Sequence, residues 1–188
     1  MHLKSILSAI LCCVIFTTVN AQKYTQKQAA EVTKEWNSQQ FSSSKTLDEN
    51  IKDVSDFSFL NKILDEKLKS ELNGKEMVTI FAPVDAGFMK LSEASRDSLV
   101  ARGNDWLKYY VVSGRVDSNT LEKEMARKNG TVYLATLSGE RLGVRKENDQ
   151  LILFDASNNK AVITASDFYH KNGYFHIVDG LVFPSEEQ

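Results

Sequence analysis

Thr79-Ile80-Phe81-Ala82-Pro83-Val84-Asp85-Ala86-Gly87-Phe88 is the stretch on which the fold turns. It closes a continuous apolar run that begins Met77-Val78, short and β-branched enough to be a strand buried on both faces. Pro83 stops the strand, because proline has no N–H to give to a ladder. A helix start follows at once. Asp85 is expected to accept a hydrogen bond from the backbone N–H of Gly87 or Phe88, a cap worth about 1 kcal/mol, while Phe88 folds back onto the core.

Upstream, Phe57, Leu60, Ile63, Leu64, Leu68 and Leu72 recur at helical spacing and predict one helix with one buried face, running from Leu47 to a stop at Asn73-Gly74. Downstream, residues 91–112 keep helical spacing through Leu99, Trp106, Leu107 and Tyr110, then turn β-branched at Val111-Val112 before Ser113-Gly114. A further helix is expected to start at the cap candidate Asp117 or Ser118 and to end at Asn129-Gly130. Beyond Gly130 the pattern changes. Residues 131–137, 141–146, 150–154 and 160–164 are short strand candidates separated by turn residues, an antiparallel meander. Asn172-Gly173 predicts a tight hairpin turn ahead of a last strand, Tyr174-Phe175-His176-Ile177-Val178-Asp179. Helices first and strands second make an α+β protein.

The ends of the chain are different in kind. Residues 1–21 carry Lys4, an apolar run from Ile6 to Phe16 too short to span a bilayer, and small residues at Val19-Asn20-Ala21, the pattern of a secretory signal peptide cleaved after Ala21. Cys12 and Cys13, the only cysteines, leave with it, so the mature chain is expected to be stabilised by packing alone, without disulfides or thiol chemistry. Residues 22–46 are polar and read as a peripheral extension, with one amphipathic helix as a candidate, removable up to Ser44 without unfolding the domain. The domain itself is placed at 47–185, with 186–188 as a C-terminal tail. The 23 basic and 25 acidic residues alternate instead of forming blocks, which gives no footprint for nucleic acid and reads as solvated helix surface.

Two segments together resemble the signatures of the fasciclin domain family. Residues 79–88 resemble its Thr-x-Phe-Ala-Pro-Thr-Asn-x-Ala-Phe segment, through Thr79, Phe81, Pro83 and Phe88. The segment from Asn172-Gly173 through His176 and Asp179, closed by Pro184, resembles its Asn-Gly-x-Ile-His-Val-Ile-Asp segment. Leu107-Lys108-Tyr109-Tyr110-Val111-Val112 sits where the family has Leu-x-Tyr-His-Val-Val. The resemblance implies a fasciclin-like fold, two small β-sheets forming a wedge with helices packed around them, and a role in adhesion or matrix contact. Val84-Asp85 replace the family's Thr-Asn. Tyr110 replaces the histidine of a Tyr-His pair linked in animal members to adhesion receptors, so a carry-over of receptor binding rests on Tyr109.

Asp85, Tyr109 and Tyr110 are thus the candidate binding residues. His176 is read as a buried histidine satisfied by backbone hydrogen bonds, and His170 as a surface histidine in a loop. Two histidines without cysteine do not make a closed zinc site, and Asp155-Ala156-Ser157-Asn158-Asn159 reads as a turn, not a calcium loop. There is no Gly-x-Ser-x-Gly nucleophile elbow and no phosphate-cradling glycine loop. Asn129-Gly130-Thr131 fits a glycosylation acceptor. Trp36, Trp106, Tyr133, Phe168, Tyr169 and Tyr174 are further aromatics, expected mostly in or beside the core. The sequence therefore points to a secreted, extracellular, cell-surface or periplasmic binding module without catalysis or cofactor, with no membrane span after signal cleavage and an extracellular protein or polysaccharide as partner. A carrier that holds a small apolar ligand such as a pigment or lipid is the alternative.

Overall fold

A computed structural model describes residues 30–74 and 76–185, so the expected signal peptide and the tail at 186–188 lie outside the described residues. The compact unit begins at Glu31. It opens with a β-hairpin of β1 (Thr33–Trp36) and β2 (Gln39–Ser42), paired from Thr33↔Ser42 to Trp36↔Gln39. The turn residues Asn37 and Ser38 both take positive φ, 48° and 59°, the twist that suits a two-residue hairpin. This corrects the candidate helix in the polar extension. It also corrects the extension's peripheral role. Phe41 is only 1% exposed and meets Phe168, Phe175 and Phe57 edge-on, at centroid distances of 5.3, 5.4 and 6.5 Å.

The single helix expected from Leu47 is three. Helix α1 (Leu47–Ile51) starts in a reciprocal capping box, with Thr46 accepting from the Glu49 N–H and Glu49 accepting from the Thr46 N–H. Its buried Asn50 accepts from Ser42 N–H and donates to Ser42 O, which ties the hairpin to the helix. After a 3-10 turn at Ser55–Phe57 come α2 (Ser58–Ile63) and α3 (Glu66–Leu72). They are separated because Leu64 is extended and Asp65 caps α3 by accepting from Leu68 N–H at 2.8 Å. Helical spacing persists across the break because the pieces bury the same apolar side.

Strand β3 (Val78–Pro83) is buried along its whole length, as its unbroken apolar sequence requires. Then follow α4 (Asp85–Met89), α5 (Glu93–Leu107), a 3-10 turn at Lys108–Tyr110 and β4 (Val111–Ser113). Helix α6 (Ser118–Arg127) is capped by Asp117, which accepts from Thr120 N–H. The meander is β5 (Thr131–Ala135), β6 (Arg141–Glu147), β7 (Gln150–Phe154), β8 (Lys160–His170) and β9 (Gly173–Gly180).

These seven strands form one sheet in the order β4-β3-β9-β8-β7-β6-β5, antiparallel except where β3 and β9 run parallel. The two outer strands then meet, through a Val112↔Thr136 bridge and a Leu137 N–H donated to Val111 O at 2.8 Å. The two sheets of the expected wedge are thus halves of one sheet, continuous through β8. Register shifts between Ile163 and Ala165 and between Ala165 and Phe168 mark β-bulges, which bend a strand and increase its twist. These bulges explain why β8 runs six residues past its expected end at Thr164, because Ser166-Asp167 look like a turn but sit inside the strand.

Two further corrections follow at the β8–β9 hairpin. Its loop residues are Lys171 and Asn172, since His170 already pairs with Gly173. Gly173 is needed for a different reason. Its φ is 145°, and a Cβ there would lie 2.0 Å from Val78 O in β3. His170 is not a surface loop residue either, but ends β8 at 3% exposure, with Nδ1 accepting from Asn172 N–H.

Phe41→Ala is expected to cost roughly 3–5 kcal/mol in urea denaturation, as an emptied aromatic site in a packed core does. A chain beginning at Lys45 is expected to be destabilised as well, contrary to the reading of residues 22–44 as removable. Burial holds the His170 imidazole at about 4, below its ordinary 6.5. The unfolded chain therefore binds a proton that the folded chain refuses, and stability is expected to fall as pH drops from 6.5 towards 4. Urea midpoints at pH 7.5 and pH 5 check this, with a smaller difference expected for His170→Asn.

Candidate functional site

Parallel pairing of β3 and β9 puts the two signature segments side by side, Thr79 opposite Tyr174 and Phe81 opposite His176. Both segments then grip one residue, Val116, in the connection between β4 and α6. Thr79 Oγ1 accepts from Val116 N–H at 2.8 Å and donates to Gly114 O at 2.8 Å. His176 Nε2–H donates to Val116 O at 2.7 Å, while its Nδ1 accepts from Asp167 N–H at 3.3 Å. That leaves the imidazole neutral with both nitrogens used. Desolvation lowers its pKa, against the opposing pull of the Val116 carbonyl and the Asp167 carboxylate. Its ring stacks on Phe81 at 5.2 Å, and His176 is wholly buried.

Asp167 carries the network onward. At φ 59° in the β8 bulge, it accepts Ser118 N–H at 2.8 Å and the Ser118 hydroxyl at 2.5 Å, fastening the strand to the first turn of α6. The remaining signature residues also serve the scaffold. Phe88 is buried between Phe59 and Trp106. Asn172 donates through Nδ2 to Leu72 O and Gly74 O beyond α3, and Asp179 pairs with Lys90 at 2.8 Å. Ahead of Pro184, Phe183 N–H donates to Asp155.

The candidate binding residues are placed differently from expectation. Tyr109 and Tyr110 are 1% and 0% exposed. Tyr109 donates to Arg141 O at 3.1 Å, and Tyr110 donates to Val182 O and accepts from Val182 N–H at 2.9 and 2.7 Å. Burial raises both phenol pKa values above the ordinary 10, so neither ionises at neutral pH. They brace the core and present no surface to a partner. Asp85 does not cap its own helix, which begins after Val84 without a side-chain cap. It caps α2 instead, accepting from Phe59 N–H at 2.9 Å and from the Ser58 hydroxyl. The side chain is a clamp between two helices. Among the described residues no three His, Cys, Asp or Glu side chains are grouped to hold a metal.

Surface concavity appears elsewhere, over the outer face of β5, β6 and β7. Strand β6 alternates there, with Leu142 and Val144 buried in the core and Arg141, Gly143 and Arg145 on the other face. Register aligns Tyr133, Gly143 and Phe154 in one row across the three strands. Gly143 makes the row possible, because a Cβ there would lie 2.4 Å from the Phe154 ring. Phe154 fills that notch, with the Arg145 guanidinium 4.4 Å above its centroid and Tyr133 edge-on at 5.8 Å. Tyr133 is 57% exposed.

These residues line an open cleft of about 590 Å³, bounded by Glu140, Arg141, Asp155, Asn158 and Ser185. Its rim is braced from within. Asp155 accepts from Asn159 N–H, Asn159 Nδ2 and Phe183 N–H at 2.8 to 2.9 Å, and Glu140 accepts from Ser185 N–H at 2.6 Å. Arg145 bonds Glu147 at 2.6 Å, and the hydrogen bonds from Lys160 and then Arg145 hold the Glu147 carboxyl below its ordinary range. Such a cleft offers an aromatic platform with donors and acceptors around it, an arrangement suited to binding. Sequence reasoning singled out Tyr133 only as one aromatic among many and passed over Gly143, Arg145 and Phe154. The signal was present in Arg141-Leu142-Gly143-Val144-Arg145, whose alternation marks an outward face with a gap at its centre.

Because Thr79 and His176 hold the N–H and the C=O of one residue, Val116, their contributions are expected to be coupled. Thr79→Val strands the Val116 N–H and is expected to cost about 1–3 kcal/mol, with His176→Ala costing more. The double variant is expected to lose less than the sum, by a margin of roughly 0.5 kcal/mol or more in a urea-denaturation cycle.

Comparison with known proteins places the architecture. No curated protein matches the chain. Among solved structures it is similar to a FAS1 domain pair from the insect cell adhesion molecule fasciclin I, with a TM-score of 0.61 and 18% identity over 76% of this chain and 51% of that one. The chain thus spans about half the length of that structure, and the likeness is one of fold. The family model of the fasciclin domain matches residues 55–184, the segment that carries both signatures and the whole seven-stranded sheet. This chain belongs to the fasciclin domain family.

Proposed function

We propose that this protein is a secreted, non-catalytic binding module that works in adhesion at a cell surface or matrix, and that its working surface is the cleft over β5, β6 and β7. The observation that carries this reading is the division of labour among aromatic residues. Tyr109 and Tyr110 are spent inside the core, whereas Tyr133 stands 57% exposed over a cleft whose floor is shaped by Gly143 and Phe154. Export is supported by the signal-like pattern of residues 1–21 and by the absence of cysteine after Cys13. Among the described residues no helix is long and apolar enough to cross a membrane.

The carrier alternative has one observation in its favour, since about 590 Å³ lies within the roughly 300–1,000 Å³ of small-ligand sites. Four charged side chains line that cleft, which suits a polar ligand better than a pigment or lipid. Native mass spectrometry of the secreted protein separates the two, because a carrier retains its small ligand through purification.

Beads coated with the full-length protein are expected to retain cells of the producing organism. Tyr133→Ala is expected to reduce retention severalfold with the melting temperature unchanged, because the side chain lies outside the core. Tyr110→Phe is expected to lower the melting temperature without reducing retention by the folded protein. Retention indifferent to Tyr133→Ala would remove the cleft from the mechanism.

A further inference from the structure

We propose that the β5–β7 cleft is a saccharide site that takes neutral hexose units of an extracellular polysaccharide. The inference rests on the reading of this face as the working surface. A pyranose ring presents an apolar C–H face and an equator of hydroxyls that both donate and accept. It is matched by an aromatic surface ringed with planar polar groups. Tyr133 supplies the exposed surface, and Phe154, laid in the notch at Gly143 with the Arg145 guanidinium 4.4 Å over its ring, backs it edge-on in the same row across three strands. Arg141 supplies forked donors at the margin, Asn158 an amide and Glu140 a carboxylate, while Arg145 forms the polar cover over Phe154.

Charge favours a neutral ligand. Two guanidinium groups and two carboxylates line the cleft, and Glu147, which pairs with Arg145 at 2.6 Å, is matched in turn by Lys160 at 2.9 Å. A ligand of either sign therefore meets as much repulsion as attraction.

A protein partner is less well served by the same surface. The other large apolar side chains exposed among the described residues are Val32, Met77 and Met89, which sit singly on three different segments. A stable protein interface covers roughly 800 Å² on each side around a continuous apolar core. A sugar chain needs only the aromatic row and its rim.

Isothermal titration of the full-length protein against neutral hexasaccharides of glucose, mannose and galactose, a uronate hexasaccharide and an acidic hexapeptide tests the proposal. At least one neutral hexasaccharide is expected to bind, with an affinity that does not fall at high salt. Tyr133→Ala is expected to weaken it about tenfold with the melting temperature kept, and Tyr133→Phe to preserve it. Preference for the uronate with steep salt dependence, preference for the peptide, silence from every neutral sugar, or indifference to Tyr133→Ala would each overturn it. Competition in the bead assay separates this inference from the reading beneath it. If retention depends on Tyr133 but no neutral saccharide competes, the saccharide assignment falls and the binding module stands. If retention ignores Tyr133, both fall.

Discussion

The structure depends on one parallel strand pair. Strands β3 and β9 lie almost a full domain apart in sequence, and every other pairing in the seven-stranded sheet is antiparallel. Non-local pairing of this kind must be secured by contacts that repay the entropy of closing a long loop. Gly173 permits the close approach to Val78, and Phe81 stacks on His176 across the pair. Thr79 and His176 then hold the N–H and the C=O of Val116. With that residue in place, the start of α6 and the bulge at Asp167 are placed too, through Ser118. The signature segments are in this sense the hinge pin of the fold, and their polar residues are consumed by it.

The consequence for function is spatial. Side chains that satisfy buried backbone groups are not free to bind anything else, and an unsatisfied buried polar group is costly enough to keep them there. His176, Thr79, Asp85, Tyr109 and Tyr110 are all spent in this way. The opposite half of the sheet is different, since β5, β6 and β7 carry their core on one face and a cleft on the other. That half is locally built, from hairpins between sequence neighbours, and the demands of the β3–β9 junction do not reach its outer face.

The N-terminal hairpin shows how a polar segment can still belong to the core. Its Phe41 contributes a fully buried ring to the cluster of Phe57, Phe168 and Phe175, and its Ser42 backbone is locked to α1 by paired bonds with the Asn50 side chain. Two aromatic side chains, Phe41 and the half-buried Trp36 against Phe57, and two turn residues in positive φ suffice, because the hairpin adds to an existing apolar surface and need not make its own. The family match begins only at Ser55, so this strand pair extends the chain's own core beyond it.

Composition and periodicity determined much of this protein. The α+β class, the fully buried strand that ends at Pro83, the helix start at Asp117 or Ser118 and the four-strand meander follow from local pattern, because each is set by nearest-neighbour chemistry and the side to be buried. Both signature segments were legible, and with them the family. Tertiary structure decided which residues those segments would spend. Asp85 reaches to α2 and not along its own helix, since Ser58 and Phe59 offer free donors across the interface. Gly173 serves a strand 95 positions away and not its own turn. Tyr109 and Tyr110 face inward although their sequence context resembles a recognition motif. The cleft lay hidden for the same reason, since Tyr133, Gly143 and Phe154 become a row only when three strands pair in register, and register is a property of the assembled sheet.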